Sequence, residues 1–89
     1  MKIDQLTHIS IIIPTLNEAT ILVGTLSALQ SLRAAGHEII VVDGGSHDAT
    51  RALAAAWADQ VIRTECGRAR QMNAGAALAR HEVLLFLHA

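Results

Sequence analysis

Apolar residues in this chain fall into two alternating kinds of stretch. Three are continuous runs: His8 to Ile13, dominated by isoleucine and ended by Pro14; Ile39 to Val42, closed by Asp43 and two glycines; and Val83 to Leu87. Gln60 to Arg63 is a shorter fourth run. Apolar runs of this length between turn residues predict strands buried on both faces. The intervening segments have helical spacing. From Ala19 onward Leu22, Leu26, Leu29 and Leu32 recur three and four residues apart, with Asn17 placed to cap the helix and Gly36 to follow its last turn. A second helix runs from about Ala49 to Ala58, opened by Ser46 or Asp48, and its Leu53 and Trp57 are spaced to share a buried face. A third runs from Arg68 to Ala79. Its Gly75 costs roughly 1 kcal/mol relative to alanine, which predicts close packing there against the sheet or a ligand. Residues 1–7 have no period and lead in from the surface.

The order is strand, helix, strand, helix, strand, helix, strand. The expected fold class is α/β: an open parallel sheet of about four strands with helices on both faces. In a parallel sheet all strand carboxyl ends lie on one edge, which is where ligands bind in open α/β folds. Glu18, Asp43 and the loop leading to Arg68 should gather there.

Composition narrows the function classes. The chain is 52% hydrophobic and 2% aromatic, so Ala, Leu, Ile and Val fill the interior around two large rings, Trp57 and Phe86, with Trp57 read as core. The formal net charge is −1 and the seven basic residues are scattered, which argues against nucleic acid as a partner. No run approaches the roughly 20 apolar residues of a membrane span, and the start of the chain lacks the long apolar stretch of a signal peptide, so a cytoplasmic protein is expected. The single cysteine, Cys66, allows no internal disulfide, agrees with a reducing compartment and reads as an incidental loop thiol.

The stretch with most chemistry is Ile39-Ile40-Val41-Val42-Asp43-Gly44-Gly45-Ser46-His47-Asp48. It puts the Asp43 carboxylate at a strand's carboxyl end, beside a helix start whose free N–H groups favour anions. Gly44 and Gly45 have no Cβ and let a ligand approach the backbone. The same residues also make an ordinary strand-to-helix turn. A nucleoside diphosphate across this edge would offer an imide N–H, ribose hydroxyls and phosphates. Asp43 and Glu18 suit the first two, and Arg68 and Arg70 the third. The dinucleotide glycine fingerprint, the P-loop, paired metal-ligand spacings and the nucleophile elbow are absent from the sequence. Of five histidines, His88 falls at the ligand edge, while His8, His37, His47 and His81 read as surface or turn residues.

Three ordered segments together resemble the start of a family 2 glycosyltransferase: Ser10-Ile11-Ile12-Ile13-Pro14-Thr15-Leu16-Asn17-Glu18, Val41-Val42-Asp43-Gly44-Gly45-Ser46-His47-Asp48-Ala49-Thr50, and Gly67-Arg68-Ala69-Arg70-Gln71-Met72-Asn73-Ala74-Gly75-Ala76. The likeness runs from about Ile9 to the end. It implies the nucleotide-binding half of a GT-A fold, with residues 1–89 as one truncated half-domain that takes a nucleotide-sugar, usually UDP-linked. Pro14, Thr15 and Glu18 would then line the nucleoside pocket, Asp43 would hold the base, and Arg68 would lie near ribose or phosphates. Gln71, Met72 and Asn73 would serve packing before contact.

In that family the fourth strand runs into an Asp-x-Asp signature holding a divalent metal, manganese or magnesium. This sequence stops at Phe86-Leu87-His88-Ala89, where the signature should begin. Catalytic residues are therefore expected beyond Ala89. The chain alone should bind nucleotide without transferring sugar, and should bind no metal itself. The acceptor, whether glycan, lipid or small molecule, is not specified. In full-length form the protein is expected to be cytoplasmic or peripheral at the inner membrane. Arg80-His81-Glu82 stands where relatives often carry a turn glycine, so that turn should differ. Val83 to Leu87, without further neighbours, should favour self-association. The alternative is a non-enzymatic α/β nucleotide-binding module.

Overall fold

The computed structural model describes residues 7–88, so most of the lead-in expected over 1–7 lies outside the described residues. Four strands form one parallel sheet: β1 (Ile9–Thr15), β2 (Glu38–Asp43), β3 (Gln60–Arg63) and β4 (Val83–Phe86), in the order β3-β2-β1-β4. The chain steps outward from β1 to β3 and then returns to the other side of β1. Between β1 and β4 the strand order therefore reverses, the position where an open α/β sheet forms its binding crevice.

Alternation of side chains divides the core. Ile11 and Ile13 of β1, with Ile39 and Val41 of β2, face Leu22 and Leu26 of α1 (Ala19–Ala28) and Ala54 of α3 (Thr50–Ala55). Ile12, Ile40 and Val42 point the other way, to Ala74, Ala76 and Ala79, on or just after α4 (Arg68–Leu78). Both central strands are covered on both faces, which accounts for their unbroken apolar runs.

The expected elements are present, with local differences. Pro14 lies inside β1, opposite Val42. The Ile12 carbonyl accepts from the Leu87 N–H on the β4 side, and Pro14 has the same parity. Its nitrogen thus faces a flank where pairing has ended at Ile12 and Phe86, and no ladder bond is lost. The first predicted helix is broken at Leu29 into α1 and a five-residue α2 (Gln30–Ala34), and Leu32 is exposed. Leu53 is also exposed: the buried face of α3 and the turn after it is Thr50, Ala54 and Ala58, with Trp57 packed beside it. Asn17 does not cap α1. The cap position is Glu18, and the Ala19 N–H is taken by Asp48 from the next loop.

The amino edge holds a buried carboxylate that sequence reading passed over. Glu38 Oε1 accepts from the Ser10 hydroxyl and the Arg80 N–H, each at 2.8 Å, and Oε2 from Gln60 Nε2 at 3.1 Å and Arg80 Nε at 2.9 Å. These bonds tie the starts of β1, β2 and β3 to the turn before β4. His81, in that turn, does not take a left-handed conformation; among described non-glycine residues only Asn17 does. The rings of His8, His37 and His81 gather here instead of scattering over the surface, with centroids 5.6 Å and 5.5 Å from His8, and His37 Nδ1 accepts the Ile9 N–H.

Gly75 explains how α4 sits so close to the sheet. A Cβ added there would lie 2.5 Å from Ile12 Cγ2 and 3.0 Å from Val42 Cγ2. Of the two expectations for this glycine, packing against the sheet is the one observed. Gly75→Ala would gain about 1 kcal/mol of helix propensity but incur an overpacking cost of about 1–3 kcal/mol. The expected outcome is a lower urea midpoint with an unchanged slope; a raised midpoint would show that α4 can shift outward freely.

Candidate functional site

The carboxyl edge is built around Asp43, the last residue of β2, which has no exposed surface. Oδ1 accepts from the hydroxyls of Thr15, at 3.1 Å, and Ser46. Oδ2 accepts from the N–H groups of Gly45 at 2.9 Å and Ser46 at 2.7 Å, and Arg51 Nε lies 3.7 Å away. Burial alone would raise the Asp43 pKa, but the Ser46 hydroxyl, the N–H groups of Ser46 and Gly45, and the Thr15 hydroxyl outweigh it and hold the carboxyl below its ordinary range. Gly45 follows the turn with a φ of 98°, which favours glycine.

The loop after β2 is stitched to the loop after β1 by two hydroxyl relays. The Asn17 N–H donates to Ser46 Oγ, which donates to Asp43. The Glu18 N–H donates to Thr50 Oγ1, which donates to Asp48. Asn17 Oδ1 in turn accepts from the His47 N–H at 2.8 Å. Asn17 holds a φ of 51° in this exchange, a conformation that asparagine tolerates better than most residues.

Gln71 joins α4 to this assembly. Its Nε2 donates to the carbonyls of Thr15 and Val42, both at 2.9 Å, and its Oε1 accepts the Gly67 N–H at 3.2 Å. The first turn of α4 is thereby fixed beside the ends of β1 and β2. Its leading N–H groups precede the first intrahelical bond, from the Gln71 N–H to the Gly67 carbonyl.

An open cleft of about 180 Å³ lies at this edge, lined by Pro14, Thr15, Leu16, Glu18, Cys66, Gly67, Arg68, Gln71 and His88. A smaller hollow of about 40 Å³ adjoins it, sharing Pro14, Arg68 and His88 and adding Met72, Phe86 and Leu87. Glu18 enters from the β1 loop, its Oε1 accepting the Leu16 N–H at 3.1 Å. Arg68 enters from α4, with Nη2 3.2 Å from His88 Nδ1.

Four of the expected site residues, Pro14, Thr15, Glu18 and Arg68, line the cleft together. Asp43 and Gly44 do not. Asp43 has no exposed surface, and its two oxygens are engaged by Thr15, Gly45 and Ser46. Gly44 is buried too; a Cβ there would lie 2.9 Å from Gln71 Oε1, and its N–H bonds the Thr15 carbonyl. Arg70 points away and pairs with Glu65 on the surface.

A sequence profile of glycosyl transferase family 2 matches residues 10–89. The chain belongs to glycosyl transferase family 2. It is 38% identical over 87 residues to a PGL/p-HBAD biosynthesis glycosyltransferase of Mycobacterium bovis, a match that covers 90% of this chain and 34% of that protein. A relative of the same description in Mycobacterium tuberculosis matches equally well. The chain thus spans about a third of the curated relatives it matches. Its fold superposes on mannosyl-3-phosphoglycerate synthase from Rubrobacter xylanophilus with a TM-score of 0.81 at 22% identity, covering 93% of this chain and 30% of that one. It superposes on Staphylococcus aureus TarS with a TM-score of 0.80 at 23% identity, covering 92% and 16%. The architecture is the parallel sheet and helices of a GT-A glycosyltransferase.

In this family 2 chain, sequence reasoning placed Gln71 in packing and Cys66 in an incidental loop, whereas both also line the cleft. A signal for Gln71 was available: a glutamine four residues after Gly67 in a first helical turn can reach back to a free backbone N–H. Cys66 gave no comparable signal.

Both buried carboxylates make stability depend on pH. Burial would raise Glu38, but the bonds from the Arg80 N–H, Ser10 and Gln60 and the Arg80 charge hold it below its ordinary value. A depressed folded pKa contributes stability that is complete above the unfolded value, about 4, and is lost as pH falls through the folded value. Denaturant melts of the parent chain should weaken steadily below about pH 4. Asp43→Asn should cost about 1–3 kcal/mol at pH 7, since its amide cannot accept all the bonds it inherits, and should flatten the acid limb; Glu38→Gln should flatten it as well. A parent chain whose stability did not change between pH 5 and pH 2 would contradict this assignment.

Proposed function

We propose that this chain is the donor-binding part of a glycosyltransferase that takes a nucleotide-sugar, UDP-linked, and passes the sugar to a hydroxyl-bearing glycan, lipid or small molecule. The observation that carries the reading is the cleft at the β1–β4 reversal, with Glu18 on one side and Arg68 beside the first turn of α4 on the other. Glu18 suits ribose hydroxyls, and Pro14 offers an apolar surface for the base. Arg68 and the α4 N-terminus suit the diphosphate. The uridine preference rests on the likeness of the three sequence segments to the family. Asp43 serves this site indirectly: it holds the turn and Thr15 in place.

In the transfer the bond from the anomeric carbon to the diphosphate oxygen breaks, its electron pair stays on the leaving diphosphate, and the acceptor oxygen bonds to the sugar as it loses its proton. Arg68 and the helix start oppose the charge that grows on the diphosphate. No described residue is assigned to taking the acceptor proton. Among the described residues no three His, Cys, Asp or Glu side chains come together as a metal site, so the manganese or magnesium expected for the longer enzyme has no fitting ligand set here and no step is routed through it.

Calorimetric titration with UDP, UMP and ADP, with and without manganese, tests the donor reading. UDP should bind more tightly than ADP, and Arg68→Ala should weaken UDP about tenfold, the ~1.4 kcal/mol of a charge-assisted contact. No turnover of UDP-sugars is expected from the 89-residue chain. Equal affinity for UDP and ADP would sink the uridine assignment, and a chain binding neither would remove the donor reading.

Partnering through β4 is also proposed. Leu85 and Phe86 are 44% and 46% exposed on this strand, which pairs with β1 on one side. An uncovered apolar edge strand promotes pairing between copies. Sedimentation velocity should show concentration-dependent association that Leu85→Lys reduces; a monomer at all concentrations would count against it.

A further inference from the structure

Among the described residues the Arg68 guanidinium is hydrogen-bonded to His88. Arg33, Arg51, Arg70 and Arg80 each pair with a carboxylate, but among the described residues no carboxylate is paired with Arg68. Its Nη2 instead meets His88 Nδ1 at 3.2 Å, across the gap between α4 and the end of β4. A guanidinium only donates, so Nδ1 must be the accepting nitrogen and the imidazole proton must sit on Nε2. A neutral acceptor orients a cation without cancelling its charge, whereas a carboxylate would do both. Both side chains line the main cleft and the adjoining hollow.

We propose that His88 is a positioning residue for the donor's diphosphate, holding the Arg68 guanidinium over the cleft through Nδ1 and leaving its charge free for phosphate. This deepens the donor-binding reading and rests on it. The clamp joins the two elements that flank the sheet's reversal point, so the phosphate-facing charge is fixed relative to β1. The ligand class it recognises is a nucleoside diphosphate; the nucleoside end lies with Glu18 and Pro14 and should not respond to His88.

The 89-residue chain and three variants separate this role from a general structural one. Nitrogen-15 spectra of the parent imidazole should show an unprotonated Nδ1 and a protonated Nε2. His88→Ala should weaken UDP about five- to tenfold while leaving uridine within about twofold. His88→Asn, whose amide oxygen replaces the Nδ1 acceptor, should recover most of that loss. His88→Gln, which replaces the Nε2 donor instead, should not. The inference is overturned if His88→Ala binds UDP like the parent, if uridine weakens by the same factor, if the asparagine variant is no better than alanine, or if the proton sits on Nδ1. A parent chain that binds no UDP removes the donor reading and this inference with it, whereas unchanged UDP binding in His88→Ala removes the inference alone.

Discussion

A carboxylate without exposed surface must be surrounded by donors, and at Asp43 that requirement organises the whole carboxyl edge. Leaving such a group unsatisfied would cost several kcal/mol, so the donors have to be brought to it. They come from β1 through Thr15 and from the following turn through Gly45 and Ser46. Ser46 then becomes an acceptor for Asn17, and the β1 loop is drawn onto the β2 loop. The Thr15 carbonyl, fixed by the same arrangement, accepts from Gly44 and from Gln71, which sets the start of α4. The cleft is therefore shaped by a network of which Thr15 and Gln71 line it, while Asn17, Asp43, Gly44, Gly45 and Ser46 do not.

Glu38 repeats the device at the amino edge, where Ser10, Gln60 and Arg80 converge on its two oxygens. The sheet is thus apolar in the middle and pinned by a satisfied carboxylate at each end of β2. An all-isoleucine-and-valine strand specifies register weakly when both faces are equally apolar, because slipping one residue exchanges one apolar side chain for another. Two charged ends remove that freedom. A shift by one position would pull Asp43 away from Thr15 and Glu38 away from Ser10 at once.

The alternation of runs and spacings in the sequence was enough for the parallel sheet, its helices on both faces and the gathering of Glu18 and Arg68 on one edge. What it could not show was which polar groups face inward. Asp43 read as a ligand-facing acid because its neighbours are glycines and a serine; those same residues supply the donors that bury it. Glu38 read as nothing, since one acid before an apolar run looks like a strand's solvated start. Leu32 and Leu53 fit helical spacing but are exposed, because α1 breaks at Leu29 and because alanines, not leucines, face the sheet from α3 and the turn after it. Spacing names a face and cannot say how close a neighbour stands. Gly75 was legible for the opposite reason: a residue unfavourable in a helix has few explanations, and closeness to Ile12 and Val42 is the one realised here.

Pro14 connects the sheet's construction to the cleft. It sits one turn of the pleat beyond the last β1–β4 pair, on the flank of β1 that faces β4, and it has no N–H to offer. After the Leu87 N–H bonds the Ile12 carbonyl, the next donor on this flank of β1 would come from residue 14, and a proline supplies none. Just past β4, His88 Nδ1 lies 3.2 Å from Arg68 Nη2. The proline that looked like the end of a strand lies inside it, and the cleft at the sheet's reversal point opens beside the flank where the β1–β4 pairs end.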